Sequence, residues 1–400
     1  MTRKAKFSTR TKRLLAANAG HKCSLPLCNR STSGPDNNPN KSISNGDAAH
    51  IYSASPSGPR GQSFLTPKQL EEEINGIWVC TNHHRVIDAN SGSSFPVSTV
   101  IQYKELHLAR IKQEQRGVAV EHGWIDHLRL LASPFFRTPE IINFGKITCL
   151  VGNMATGKSL ICEIVAGFSS SKDLNRLGKF KTHSISEIQY FTPMPHLVTH
   201  SNQSSQTFKY YRDGRLQPAS PIDIMIISPK RLDSPEGYMK PDLELFSILL
   251  GIPEPDIVNL TGMIDQYGTG EIANMRFDDD GETLYLDLKG TAKNLPFGVL
   301  SSSERIRVLV ECSILAAASY HEQRPVILCL DCGLNSLDDT RFNSVLEKLS
   351  SQNIHFQTII TSFPRKLFLE DSSLLGKLNL VQLHGDRSDI TIHQTQEITI

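Results

Sequence analysis

The stretch KITCLVGNMATGKSLICEIVAG (146–167) constrains the fold more than any other part of this 400-residue chain. An apolar run is followed by Gly152-x4-Gly157-Lys158-Ser159 and then by helix-forming sequence. The pattern predicts a strand, a glycine-rich loop and a helix. In that order, backbone N–H groups and a helix N-terminus surround a phosphate. Gly152, Asn153 and Gly157 supply the loop backbone. Lys158 is placed to reach the β- and γ-phosphates of a nucleotide, and Ser159 to ligate its Mg2+.

A second apolar run, VILCLD, ends in Asp331. An acid at a strand end is where a Walker-B residue sits, holding the Mg2+ through water. Further strand-like runs occur at IDHLRLL, EIINF, IDIMIIS, ETLYLDL and FQTIITS, with helical stretches at 303–319 and 339–351. Strands alternating with helices predict an α/β domain with a largely parallel sheet. Between the two phosphate-site motifs lies Leu300-Ser301-Ser302-Ser303-Glu304, opening a long helix. This resembles the signature motif of ABC-type ATPases, and more closely their SMC and RecF-like branch. Asn335-Ser336-Leu337-Asp338 matches the D-loop of that family. The resemblance implies that Ser301, Ser302 and Ser303 of one copy meet the γ-phosphate of ATP bound to another, so that ATP pairs two heads. Three departures qualify it. Cys332 stands where the family has an acid, Thr361 and Ser362 replace the switch histidine, and no Q-loop glutamine can be placed near IDIMIISPKRL. The expectation is secure ATP binding with slow hydrolysis. No heptad run separates Lys158 from Ser301, so a long coiled coil does not fit.

Residues 21–95 have a different texture, rich in Ser, Asn, Gly, Pro, Cys and His. A thin-cored domain of this kind often needs a metal. Of the eight cysteines, Cys149, Cys162, Cys312, Cys329 and Cys332 sit among apolar or small residues and read as core. Cys23-x4-Cys28 and Cys80-x2-His83 form two close pairs of soft ligands, the set that tetrahedral zinc takes. GDAAHI places His50 at a strand end, and EINGIWVCTNHHRVID adds Asn75 and His84.

This order resembles the HNH endonuclease family and its ββα-metal motif. The resemblance implies His50 as the general base and Asn75 as the residue that holds the loop around it. It implies His84 as a ligand of a catalytic divalent ion, Mg2+ or Mn2+, and Cys23, Cys28, Cys80 and His83 as a structural Zn2+ site. Many members carry an aspartate directly before the base. Here that residue is Ala49, and Asp47, on the same strand face, is the expected substitute.

The fold class expected is therefore α/β: a small zinc-stapled ββα-metal domain followed by a P-loop ABC-type ATPase head. The expected boundaries are a basic arm at 1–20, an HNH domain at 21–95, a linker helix at 96–123 and the ATPase at 124–400. Residues 1–46 carry nine Lys or Arg and one acid, Asp36, within a chain of 42 basic and 41 acidic residues. Such an arm suits the phosphates of DNA. No run approaches the roughly 18 apolar residues of a membrane span, and the N-terminus lacks the apolar segment of a secretory signal. The expectation is a cytoplasmic protein without membrane contact, partnered by DNA and, through its heads, by further copies of itself in a homodimer or higher homo-oligomer. The parts resemble bacterial anti-phage systems such as the Septu type, which would add a second defence-system protein as partner. The alternative is an ATP-dependent DNA-binding or repair module whose HNH fold is a non-catalytic zinc clamp.

Overall fold

The computed structural model describes residues 5–25, 28, 30–61, 63, 65–116, 124–169, 174, 177, 183–191, 195–202, 208–217, 224–230, 232, 240–289, 293–321, 324–331, 334, 337–351, 354–364, 378–386 and 389–394. The chain divides into two compact units, the first centred on 1–122 and the second on the remainder.

In the first unit, α1 (Thr9–Asn18) precedes the short antiparallel pair β1 (Ser33–Pro35) and β2 (Ser42–Ser44). A second antiparallel pair follows, β3 (Gly46–His50) with β4 (Gly76–Cys80), leading directly into α2 (Thr81–Asp88). α3 (Val97–Arg116) completes the unit. Every residue of β4, GIWVC, is buried, because helices cover both of its faces. Strand alternation sends Ile77 and Val79 to one side, where they meet Cys23, Leu25, Ala49, Ile51, Ile87 and Val100. It sends Trp78 to the other, against Phe7, Leu15, Ala16 and Ala19.

The basic arm expected at 1–20 is therefore largely a packed helix. Ser8 caps it by accepting from the Thr11 N–H at 3.0 Å, and its apolar face covers Trp78. Burying a residue such as Leu15 contributes about 1.5–3 kcal/mol toward ordering the segment. The expected linker helix is likewise part of this unit. On α3, Val100 is buried, Lys104 pairs with Glu73 at 2.8 Å, and His107 Nε2 lies 2.9 Å from the Ala19 carbonyl.

The second unit holds β5 (Trp124–Ala132), β6 (Glu140–Asn143), β7 (Ile147–Gly152), α4 (Lys158–Gly167), β8 (Ser184–Phe191), β9 (Pro195–Asn202), β10 (Phe208–Arg212), β11 (Arg215–Gln217), β12 (Met225–Ile227), β13 (Ile272–Phe277), β14 (Leu284–Leu288), β15 (Leu295–Pro296), β16 (Val326–Leu330), β17 (Gln357–Ser362), β18 (Leu378–His384) and β19 (Thr391–His393). The helices Ser302–His321 and Asp339–Ser350 lie where helical sequence was expected.

One six-stranded sheet has the order β12-β16-β17-β7-β18-β19, with parallel pairing from β12 through β7 and an antiparallel pair at β18–β19. A second has the order β11-β10-β9-β8-β5-β6, with antiparallel pairing at β5–β6, β9–β10 and β10–β11. β13, β14 and β15 form a small antiparallel sheet. The parallel sheet expected from sequence thus accounts for only part of the unit. In β8, Ser184 and Ser186 take buried positions alongside Ile188 and Tyr190, which hides the apolar alternation of a strand. Cys149, Cys162, Cys312 and Cys329 are buried, as core residues are.

Candidate functional site

The residues predicted to form a phosphate site meet at the carboxyl ends of neighbouring parallel strands. β7 ends at Gly152, β16 leads into Asp331, and β17 lies between them. Thr361 on β17 donates to Asp331 Oδ1 at 2.7 Å, a partner that sequence reading missed. Gly157 has φ +84°, the left-handed backbone that glycine tolerates, and a Cβ there would stand 2.8 Å from the Phe136 ring. A Cβ on Gly152 would stand 2.8 Å from the Leu383 carbonyl. Thr156 donates to the Asn153 carbonyl at 2.9 Å and tightens the loop.

Lys158 donates to the carbonyls of Gly152 and Asn153 at 2.7 and 2.6 Å, and its ammonium lies 5.0 Å from the Phe363 ring centroid. Burial pulls its pKa below the ordinary lysine value, opposed by the charge of Asp331. Lys158 opens α4, and Ser159 is its second residue.

Ser301 and Glu304 cap the helix Ser302–His321 reciprocally. The Ser301 N–H and hydroxyl donate to Glu304 Oε2 at 2.8 and 2.7 Å. Ser302 and Ser303 are exposed in its first turn. Ion pairs lead from this cap to the next helix: Glu304–Arg307 at 3.6 Å, Arg307–Glu271 at 3.3 Å and Glu271–Arg341 at 3.3 Å. Asp338 ends the chain of charges, paired with Arg341 and capping Asp339–Ser350. Cys332, Asn335 and Ser336 lie outside the described residues.

In the first unit, Cys23, Cys28, Cys80 and His83 converge. Cys80 Sγ lies 3.2 Å and Cys23 Sγ 3.5 Å from His83 Nδ1, and the Cys28 and Cys80 sulfurs are 4.0 Å apart. All four ligand atoms lie within 4.8 Å of one another, a spread that one tetrahedral ion spans. Burial and the neighbouring thiols push the Cys23 thiol up to about 12. Thiolates crowded there call for a cation, and three sulfurs with one imidazole suit zinc.

The other sequence-selected residues cluster at the end of β3 and along α2. His84 stands between two carboxylates, with Nδ1 3.6 Å from Asp47 Oδ2 and Nε2 3.6 Å from Asp88 Oδ2. Asp88 was not selected from sequence, although its i,i+4 spacing from His84 in HHRVID was a readable signal. The nitrogen and carboxylate donors fit a divalent ion in kind, but the two carboxylates approach opposite ring nitrogens. Among the described residues, the Cys/His cluster is the group of three or more potential ligands that closes to within 4.8 Å.

Arg60 was also unforeseen. Its buried guanidinium donates to the Ile51 carbonyl at 2.8 Å, the His50 carbonyl at 3.2 Å, the Ile87 carbonyl at 2.6 Å and Asp88 Oδ1 at 2.6 Å. It thereby ties the end of β3 to the end of α2.

His50 stacks on Phe7 with ring centroids 3.9 Å apart and planes 10° from parallel. Its Nε2 is buried without a hydrogen-bond partner. Burial and the neighbouring His84 lower its pKa below the ordinary histidine value, opposed by Asp88, a backbone hydrogen bond at Leu70 and Glu71. Asn75 is buried beside it. Its amide donates to the carbonyls of Tyr52 and Leu70 at 2.9 and 3.2 Å, and its Oδ1 accepts from the Tyr52 N–H at 2.8 Å. Asn75 therefore fastens both the chain leaving His50 and the Leu70 backbone that meets its ring.

No protein-family model matches the sequence, and no curated protein matches it either. Solved structures are similar at low identity. An SMC head bound to the C-winged helix domain of ScpA aligns with TM-score 0.49 and 13% identity, over 68% of this chain and 97% of that one. The SMC head domain from Thermotoga maritima aligns with TM-score 0.41 and 14% identity, over 68% and 98%. The recombination mediator RecF with ATP aligns with TM-score 0.43 and 11% identity, over 69% and 98%. At these values the functional reading rests on the side-chain geometry above.

Proposed function

We propose that this chain is a nucleotide-controlled, divalent-metal-dependent DNA endonuclease. One observation carries the nuclease part. His50 lies on the strand end that Arg60 ties to Asp88, and Asp88 faces His84. His84 with one flanking carboxylate, Asp47 on its Nδ1 side or Asp88 on its Nε2 side, would hold the divalent ion, and such an ion offsets charge on a scissile phosphate and its leaving oxygen. His50 acts as general base. As a neutral imidazole it takes a proton from the attacking water. The water oxygen bonds to phosphorus as the bond from phosphorus to the leaving sugar oxygen breaks. Asn75 and Arg60 orient the base from behind.

In the second unit, a triphosphate would replace the loop carbonyls as partner of Lys158, with Ser159 and Asp331 on its Mg2+. Ser301, Ser302 and Ser303 would meet the γ-phosphate of a second copy. Pairing the heads would bring two nuclease units to one duplex, so that nicks combine into a double-strand break. This division of labour suits a bacterial anti-phage system.

The burial of His50 Nε2 favours a second reading, a zinc-clamped DNA-binding module without catalysis. One experiment addresses both: plasmid cleavage by the wild type and Lys158→Ala, with and without ATP. The nuclease reading expects metal-dependent cleavage that responds to ATP only in the wild type. The clamp reading expects a shifted band in a binding gel and intact plasmid.

A further inference from the structure

Several acids of the first unit are held in close ion pairs. Glu73 pairs with Lys104, Asp88 with Arg60, and Glu114 with both Lys22 and Arg110, at 2.6 to 3.0 Å. Lys6 and, on α1, Arg10, Lys12 and Arg13 are exposed and make no ion pair among the described residues. These four cations are not on a loose tail. Phe7, Leu15, Ala16 and Ala19 lock the segment onto Trp78. Its beginning is fixed at the candidate base, because Phe7, between Lys6 and the cap Ser8, lies flat on the His50 ring. A rigid cationic surface without ion-pair partners among the described residues, on the segment that stacks on His50, matches one kind of partner, a polyanion that must be held in register with that residue.

We propose that Lys6 and α1 form the surface on which the phosphate backbone of duplex DNA docks, with Lys6, Arg10 and Arg13 taking phosphates on the Phe7 side of His50. The choice of DNA rests on the nuclease reading, whereas the surface itself does not. Because Phe7 belongs to the same rigid segment, a strand held by these cations is positioned relative to the imidazole that the segment stacks upon.

The test measures binding rather than cleavage, so that it stands even if the protein does not cut. Full-length protein with His50 intact is titrated, without added divalent ion so that no cleavage competes, with a short fluorescent DNA duplex over a range of salt concentrations. The same is done with K6Q/R10Q/R13Q added, and with three neutralisations on the second unit instead, K209Q/R215Q/K289Q. Removing one cation–phosphate pair should lower the slope of log affinity against log salt by about 0.9. The first triple variant should therefore lose about 2–3 from the slope and bind at least about tenfold more weakly at low salt. The second should leave the slope nearly unchanged. Equal slopes in the background protein and the first triple variant would overturn the proposal, as would equal losses in both triples. Binding of phosphatidylserine vesicles with no affinity for the duplex would overturn it too, by assigning the surface to a membrane.

Discussion

Arg60 Nη2 donates to Asp88 Oδ1 at 2.6 Å while Asp88 Oδ2 faces His84 Nε2 at 3.6 Å, so one carboxylate is held from behind and presented in front. The guanidinium is buried, and its remaining donors go to backbone carbonyls at the two strand and helix ends it joins. Arg60→Met removes the charge partner of Asp88 and leaves three carbonyls without this donor. We expect a loss of about 3 kcal/mol in the stability of the first unit, read by denaturant unfolding. Asp88→Asn, which keeps an oxygen toward Arg60, should unfold close to the wild type yet bind Mn2+ more weakly by calorimetry. Equal Mn2+ affinity would remove Asp88 from the ligand set.

The phosphate loop gives a backbone prediction. Gly157 combines φ +84° with a Cβ position 2.8 Å from Phe136. Gly157→Ala should therefore reshape the loop and abolish ATP binding in an equilibrium titration. Lys158→Ala should also lose ATP binding but leave the melting temperature unchanged. Wild-type affinity in the alanine variant at 157 would show that the loop is not read out by its backbone.

His200 contributes to the pH dependence of the second unit. It is fully buried among Phe168, Phe208 and Tyr210, with neither ring nitrogen hydrogen-bonded, and burial lowers its pKa to about 3. The unfolded chain takes up this proton near the ordinary value of about 6.5. The folded state does not, so stability falls as pH drops below that value and levels off only near 3. The cost is about 1.4 kcal/mol per pH unit. His107, lowered to about 4 mainly by burial, has the same sign in the first unit. His200→Phe should flatten the acid limb of the second unit's melting curve. An unchanged limb would place the sensitivity elsewhere.

Zinc occupancy is the simplest composition test. The purified chain should carry one zinc per molecule by elemental analysis, and Cys80→Ser should carry none. Chelation should unfold the first unit, because Cys80 is both a cluster member and the residue that joins β4 to α2. A full-length chain with no zinc and an unaltered first unit would remove the metal from the account.

Sequence carried the local patterns and missed the long-range ones. The glycine loop, the strand ending at Asp331 and the two close ligand pairs are short-range signals, and the described residues bring each set together. Arg60 lies in the polar stretch SASPSGPRG, where nothing in the spacing distinguishes it. Its role depends on contacts 9, 10, 27 and 28 residues away in sequence. Phe7 was hidden for a related reason. In a basic segment one aromatic has no period, and its partner, His50, is distant in sequence. The reciprocal cap at Ser301 and Glu304 shows the opposite case. The same residues serve a local helix end and match a motif implying a remote ligand, and local geometry satisfies the first without deciding the second.

The most direct test of the central claim is plasmid nicking by the purified full-length chain in Mn2+, beside His50→Ala and His84→Ala. Supercoiled DNA should be converted to nicked and linear forms by the wild type, with both variants at least about a hundredfold slower. A His50→Ala protein that nicks as fast as its parent would contradict it.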